Sequence, residues 1–242
     1  MWTHQAETPT TSQDRVSGRL IGLLYLTLAI FGAGAFFTFT EQIHVPGDAV
    51  VTIRNIMDRP MTFRLTLVAW LITLVVDLVV GFLLFRALRP VAPHLSLATA
   101  WFRTAYVAVH TAALLGLFGV LRLMNNGDLS AQPELAMALI GIHLDGFMIA
   151  LVLFGAHLVI LGWIIMISGA VPRLIGGLLT LAGLAYILDT VALALLPETA
   201  LVSQWIDIGV MVFATLGELS FVVWLLAFGI RQPHQRGGTF NG

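Results

Sequence analysis

The chain contains no cysteine and no lysine, and each absence removes a class of chemistry. Without cysteine there are no disulfides, thiolate nucleophiles, iron–sulfur clusters or covalently attached c-type haem. Without lysine, all twelve basic residues being arginine, no Schiff base to retinal or pyridoxal phosphate can form. Charge itself is scarce, at 10% of residues, where a soluble domain carries about 25%. No basic patch is left to hold a nucleic acid. The sequence also lacks G-x-S-x-G, H-E-x-x-H and a glycine-rich phosphate loop followed by lysine. Long hydrophilic stretches and tandem repeats are missing too.

What remains is apolar: 58% of the 242 residues are hydrophobic and mean hydropathy is +0.94. The stretch Gly141 to Pro172, GIHLDGFMIALVLFGAHLVILGWIIMISGAVP, sets the pattern. It is long enough to cross a bilayer, which takes about 20 apolar residues, and it closes on Gly169, Pro172 and Arg173. Five further runs of this kind predict an all-α, polytopic transmembrane bundle of six spans. They are placed at Leu20–Phe37, Phe63–Phe85, Leu97–Leu121, His143–Ser168, Leu174–Leu196 and Trp205–Ile230. The first is too long for a cleaved signal peptide, whose apolar part runs about 7–15 residues. Residues 1–17 read as a polar, disordered tail, 18–231 as one membrane domain and 232–242 as a flexible tail. Residues 133–144 are expected to form a short interfacial helix ahead of the fourth span, because Glu134 to Ser168 exceeds one upright crossing.

Arginine placement predicts both termini in the cytoplasm. Arg15, Arg19, Arg86, Arg89, Arg173, Arg231 and Arg236 then collect inside, while Arg54, Arg59, Arg64 and Arg122 lie outside among acids.

An ionisable side chain within a span costs about 2.5–3.5 kcal/mol to insert, so such groups face the bundle interior and find partners. His110, His157 and Glu218 fall near the expected midplane, Asp189 toward the outer side, and Asp77 and Arg103 toward the inner side. Asp77 and Arg103, at matching depth on helices joined by a short loop, are expected to form an ion pair. That pair either locks two helices together or gates a polar path. Arg103, Tyr106 and His110 share one face of their helix. Tyr186 and Asp189 share a face of the fifth helix, beside the small residues of Gly176, Gly177 and Gly183. Glu218 on the sixth helix is expected to meet His157 or Asp189, so that a polar pocket of His157, Asp189, Glu218, His110, Tyr106 and Tyr186 results. Such a pocket suits proton relay, ion binding or metal ligation, with His157, Asp189 and Glu218 as the metal ligands if there is one. A single bis-histidine haem between His110 and His157 is a further possibility. His143, beside Asp145, is placed at the outer mouth as an interfacial polar residue. Asp48 and Arg64, in the outer loop region, would cap the centre from outside.

Several stretches carry a family resemblance: VPGDAVVTIRNI followed by FRL, AWFRTAYVA, HLVILGWIIMISGAVPRLIGGLLTLAGLAYILD and GELSFVVWLLAFGI. Together they resemble the bacterial multi-pass membrane family of domain of unknown function 4386, over Arg19 to Ile230. The resemblance implies a multi-pass protein of the bacterial plasma membrane. It makes Asp48, Arg64, Asp77, Arg103, His157, Pro172, Arg173, Tyr186, Asp189 and Glu218 the family's characteristic positions. His110 lies outside that pattern, and Trp163 stands where tyrosine is more usual. The family carries no activity or cofactor over. Three functional readings therefore stand side by side: a binding or transport protein for a proton, cation or small polar molecule; a metal- or haem-dependent membrane enzyme; and a structural subunit whose buried charges serve packing. The lipid bilayer is the one partner the sequence names, and it leaves cofactor and oligomeric state open.

Overall fold

The structure, a computed structural model, describes residues 12–196 and 201–230, and among these it contains helices and no strand. Of the tails expected at residues 1–17 and 232–242, residues 1–11 and 232–242 lie outside the described residues, while residues 12–17 are helical and open the first helix. The first span is built from α1 (Ser12–Leu28) and α2 (Gly34–Gln42), joined through a π-helical turn at Ala29–Ala33. There follow α3 (Ala49–Asp58), α4 (Pro60–Leu88), α5 (Pro93–Asn126), α6 (Pro133–Ser168), α7 (Arg173–Leu195) and α8 (Leu201–Phe228). Six segments are long and apolar enough to cross a membrane: Gly18–Gln42, Pro60–Leu88, Pro93–Asn126, Pro133–Ser168, Arg173–Leu195 and Ile208–Phe228. Their outward faces carry Leu65, Val75, Leu115, Ile149, Leu174 and Met211, which is the surface a lipid phase requires.

Proline and glycine punctuate the helices. Pro60, Pro93 and Pro133 each occupy a first-turn position, where the missing N–H has no helical partner to lose. Gly169 ends α6 in the left-handed conformation at φ 67°, and Pro172 caps the start of α7. Between Pro133 and Gly169 nothing interrupts the hydrogen-bond ladder. The separate interfacial helix expected at 133–144 is therefore not formed: α6 is one continuous rod of 36 residues.

Each helix packs on the next from α4 to α8, then α8 returns to α1 and α1 closes on α4. The spans thus form a ring with an interior. Helices α6 and α7 approach closely, with Gly155 facing Gly183 and Gly162 facing Gly176. The seven-residue spacing on both helices, about two turns, puts each pair on the contact face. A methyl group added at Gly162 would collide with the Gly176 carbonyl and Thr180, and one at Gly183 with the Gly155 carbonyl.

One end of the ring is covered by α3, which packs on α4 and α6. Its entry turn is held from both sides. Asp48 is the N-cap of α3, its Oδ1 accepting from the Val51 N–H at 2.9 Å. Thr52 bonds both N–H and carbonyl of Val45, and Asn55 donates to the Ile43 carbonyl. Asp48 is thereby spent on shaping this helix. Arg64 lies on α4, not in the loop, and donates to Asn125 at the end of α5.

Candidate functional site

The ring interior holds two polar clusters on the same face of α5, separated by Tyr106. The first is centred on Arg103, which is 1% exposed yet carries a full charge. Its guanidinium is shared by three other helices. Nη2 pairs with the Asp77 carboxylate, Nε donates to the Asp77 backbone carbonyl at 3.2 Å, and Nη1 donates to the Tyr25 hydroxyl at 2.8 Å and to His157 Nε2 at 3.0 Å. Gly81 makes room for the arginine stem, its missing side chain leaving space beside Arg103 Cδ. The rings of Tyr25 and Phe154 stand 5.0 and 5.5 Å from the guanidinium carbon, within cation–π range.

The bond to His157 fixes that residue's chemistry. Arginine can only donate, so Nε2 must offer its lone pair. The proton is then on Nδ1, which points at the Thr99 carbonyl at 2.9 Å and the Thr99 hydroxyl at 2.6 Å, while that hydroxyl donates to the His157 carbonyl. Both imidazole nitrogens are committed. His157 has no lone pair to give a metal or a haem iron, which corrects the reading of it as a ligand.

The remaining members of the expected pocket separate accordingly. Glu218 on α8 accepts from the Tyr186 hydroxyl of α7 at 2.9 Å and makes no direct bond to His157. Asp189 lies one turn further along α7 from Tyr186. Among the described residues no three histidine, aspartate or glutamate side chains come together as a metal site, so His157, Asp189 and Glu218 do not form one. Both Glu218 and Tyr186 are half-buried, unlike the sealed Arg103 cluster. Phe154 joins the two regions, packing on Tyr106, His157 and Tyr186 with ring centres 5.0, 5.7 and 5.8 Å away.

The second cluster lies toward the α3 end and is made of rings. His110 is surrounded by Trp70, Phe147, Tyr106 and His143, at ring separations of 4.7, 4.7, 5.7 and 5.9 Å. His110 thus stands with Trp70 and His143, away from His157, and the bis-histidine haem between His110 and His157 is corrected on this ground as well. His143 is 2% exposed and does not lie at an interfacial mouth: α6 begins at Pro133, which puts His143 nearly three turns inside the helix.

Sequence reasoning missed Tyr25, Thr99 and Trp70. A single tyrosine in an apolar first helix and a threonine one turn before an arginine carry no distinguishing pattern. Thr99 could have been suspected from its i, i+4 spacing to Arg103 on one face.

The sequence profile of the family described as Domain of unknown function (DUF4386) matches residues 20–229. The chain belongs to this family. A similar protein is an "Uncharacterized protein" of Archaeoglobus fulgidus, 28% identical over 164 residues, which cover 68% of this chain and 83% of the relative. No solved structure matches the chain. Several positions that the family resemblance singles out, Asp77, Arg103 and His157 in one cluster and Tyr186 with Glu218 in the other, are bonded to one another in this structure.

Proposed function

We propose that this family member is a multi-pass protein of the bacterial plasma membrane, termini in the cytoplasm, that binds and passes a proton or small cation at the Tyr186–Glu218 pair. One observation carries the reading. Glu218 sits in a membrane-spanning helix, half-buried, and is held by a neutral phenol where Asp77 is held by a guanidinium. A carboxylate without a bonded counter-cation inside a span is costly unless a proton or a cation joins it. The Tyr186 hydroxyl bonds one carboxylate oxygen, Oε1, and orients the group for that guest. In this reading the Arg103 cluster is the frame: saturated with partners, it holds α1, α4, α5 and α6 in register around the site.

The test is ion flux in liposomes containing the purified protein, driven by a pH gradient or a gradient of sodium or potassium. Flux above that of empty liposomes, abolished by Glu218→Gln and lowered by Tyr186→Phe, is expected. Equal flux in wild type, Glu218→Gln and empty liposomes overturns the proposal. Carbodiimide labelling, read by mass spectrometry, reports the same site without transport, because the reagent attacks a protonated carboxyl in an apolar setting. Labelling at Glu218 that a cation suppresses supports a shared proton and cation site.

A further inference from the structure

Away from the interior clusters, a cleft opens at the end of the ring that α3 covers. It lies where the α3–α4 junction meets the end of α5 and the turn before α6, and is lined by Met57, Pro60, Met124, Gly127, Leu129 and Ser130. Its volume is about 200 Å³. Whole drug-sized ligands occupy about 300–1,000 Å³, so this cleft takes one compact group. The thioethers of Met57 and Met124 give it a lining that adapts its shape, and the Ser130 hydroxyl is its polar side chain.

Depth decides what can reach it. Helix α4 has 29 residues, about 43 Å of helix, which matches the roughly 40–45 Å of a bilayer with its headgroups. The hydrocarbon layer fills about 30 Å of that, leaving about 6 Å at each end among the headgroups. Arg64 stands one turn, about 6 Å, beyond Pro60, at the level where hydrocarbon gives way to phosphate. Met61, Leu65 and Val68, spaced i, i+4 and i+7 on one face, form an exposed apolar stripe that runs from this level into the hydrocarbon.

Arg64 is held at the rim of the cleft. It follows the lining residue Pro60 by one turn, and its Nη2 donates to Asn125, the residue after Met124. A guanidinium has five N–H donors, so most of them remain open. Arg64 is exposed, and Asp58 and Asp128, the acids beside the lining, make no ion pair with it: among the described residues the one ion pair is Asp77–Arg103. We infer that the cleft and Arg64 form a binding site for an anionic phospholipid. The phosphate takes the open donors of the guanidinium, the headgroup enters the cleft, and the acyl chains follow Met61, Leu65 and Val68. A zwitterionic lipid brings an ammonium that neutralises its own phosphate, whereas an anionic lipid keeps its net charge for the arginine.

Native mass spectrometry and thermal unfolding of the full-length protein in detergent test this, with phosphatidylglycerol or phosphatidylcholine of the same acyl chains added. About one retained phosphatidylglycerol per chain is expected, with a larger rise in melting temperature than phosphatidylcholine gives. Arg64→Gln should weaken phosphatidylglycerol binding by about 5-fold or more, the worth of one arginine at a charged lipid surface. Arg89→Gln, at the opposite end of α4, should leave binding unchanged. Ser130→Phe fills the cleft from an exposed position and should weaken binding with Arg64 intact, so it tests the site even where Arg64→Gln fails to fold. Equal binding of the two lipids overturns the inference. So does full binding by either folded variant, or an equal loss in Arg89→Gln. Stabilisation by inorganic phosphate alone that equals the lipid's makes this a free-anion site and overturns it too. The site is independent of Glu218, and ion flux in liposomes is a separate readout.

Discussion

Replacing Arg103 by leucine removes all four of its hydrogen bonds at once: to the Asp77 carboxylate and carbonyl, to Tyr25 and to His157. The carboxylate of Asp77, 3% exposed, then has no counter-charge. Truncating one partner of a buried pair costs about 3–5 kcal/mol, because the stranded charge has no water to turn to. The two stranded neutral groups, the Tyr25 hydroxyl and His157 Nε2, add about 1–3 kcal/mol each where no relaxation rescues them. Arg103→Leu is therefore expected to lose at least about 3 kcal/mol. The double variant Arg103→Leu/Asp77→Leu removes both charges, and replacing a whole pair by apolar groups is often neutral. It should recover most of the loss, leaving a coupling of about 2–3 kcal/mol in a double-mutant cycle. The assay is reversible unfolding in mixed micelles with rising SDS fraction, followed by tryptophan fluorescence. A single variant within about 0.5 kcal/mol of wild type, or a double variant no better than the single, would show that Asp77 and Arg103 do not depend on each other.

The other expectations are smaller or local. Gly162→Leu forces a side chain into the Gly176 carbonyl and Thr180 and should destabilise by about 1–3 kcal/mol or prevent folding, whereas Gly177→Ala, with no neighbour in the way, should gain about 0.5–1 kcal/mol; thermal unfolding in detergent separates them. Asp48→Ala removes the α3 cap and should cost about 0.5–2 kcal/mol, seen as faster hydrogen exchange at residues 49–52 with flux untouched. His44, just outside the first span, has its pKa lowered below 6.5 by burial, and its Nδ1 lacks a partner. The unfolded chain thus takes up a proton that the folded loop resists, so stability is complete above about pH 6.5 and declines as pH falls through it. Protection factors at residues 43–58, which allow for the slower intrinsic exchange at lower pH, should fall between pH 7.5 and 5.5, and His44→Phe should abolish that change; a loop equally protected at both values in wild type would contradict this.

Hydropathy made the spans legible, because a bilayer imposes a length that no local preference can disguise. The helix ends were less so. Pro93 and Pro133 extend α5 and α6 well beyond their apolar segments, since proline at a first-turn position continues into helix as readily as it breaks one. The Asp77–Arg103 pairing was legible too: two opposite charges at one depth on adjacent helices have little else to do. The glycine seam was half legible. Gly176 and Gly183 read as small residues, and the identical seven-residue spacing of Gly155 and Gly162 is the signal in the sequence that names their partner helix.

Counting charges could not rank the partners. The rule that intramembrane charges must converge put His157, Asp189 and Glu218 in one pocket, as though every ionisable group attracted every other equally. Arg103 does not behave as an equal member. It is the only cation among the described residues inside the ring, and with donors in a planar fork it takes the strongest acceptors within reach: a carboxylate, a carbonyl, a phenol oxygen and an imidazole lone pair. Once His157 is taken, the geometry leaves Glu218 with a tyrosine and His110 with aromatic rings. The stable part of the interior is thus where donors and acceptors balance, and the capacity to bind lies where they do not. Glu218 has charge and no bonded cation, which suits a proton or a hard ion in passage. At His110, a donor and a lone pair alike stand without partners among aromatic rings.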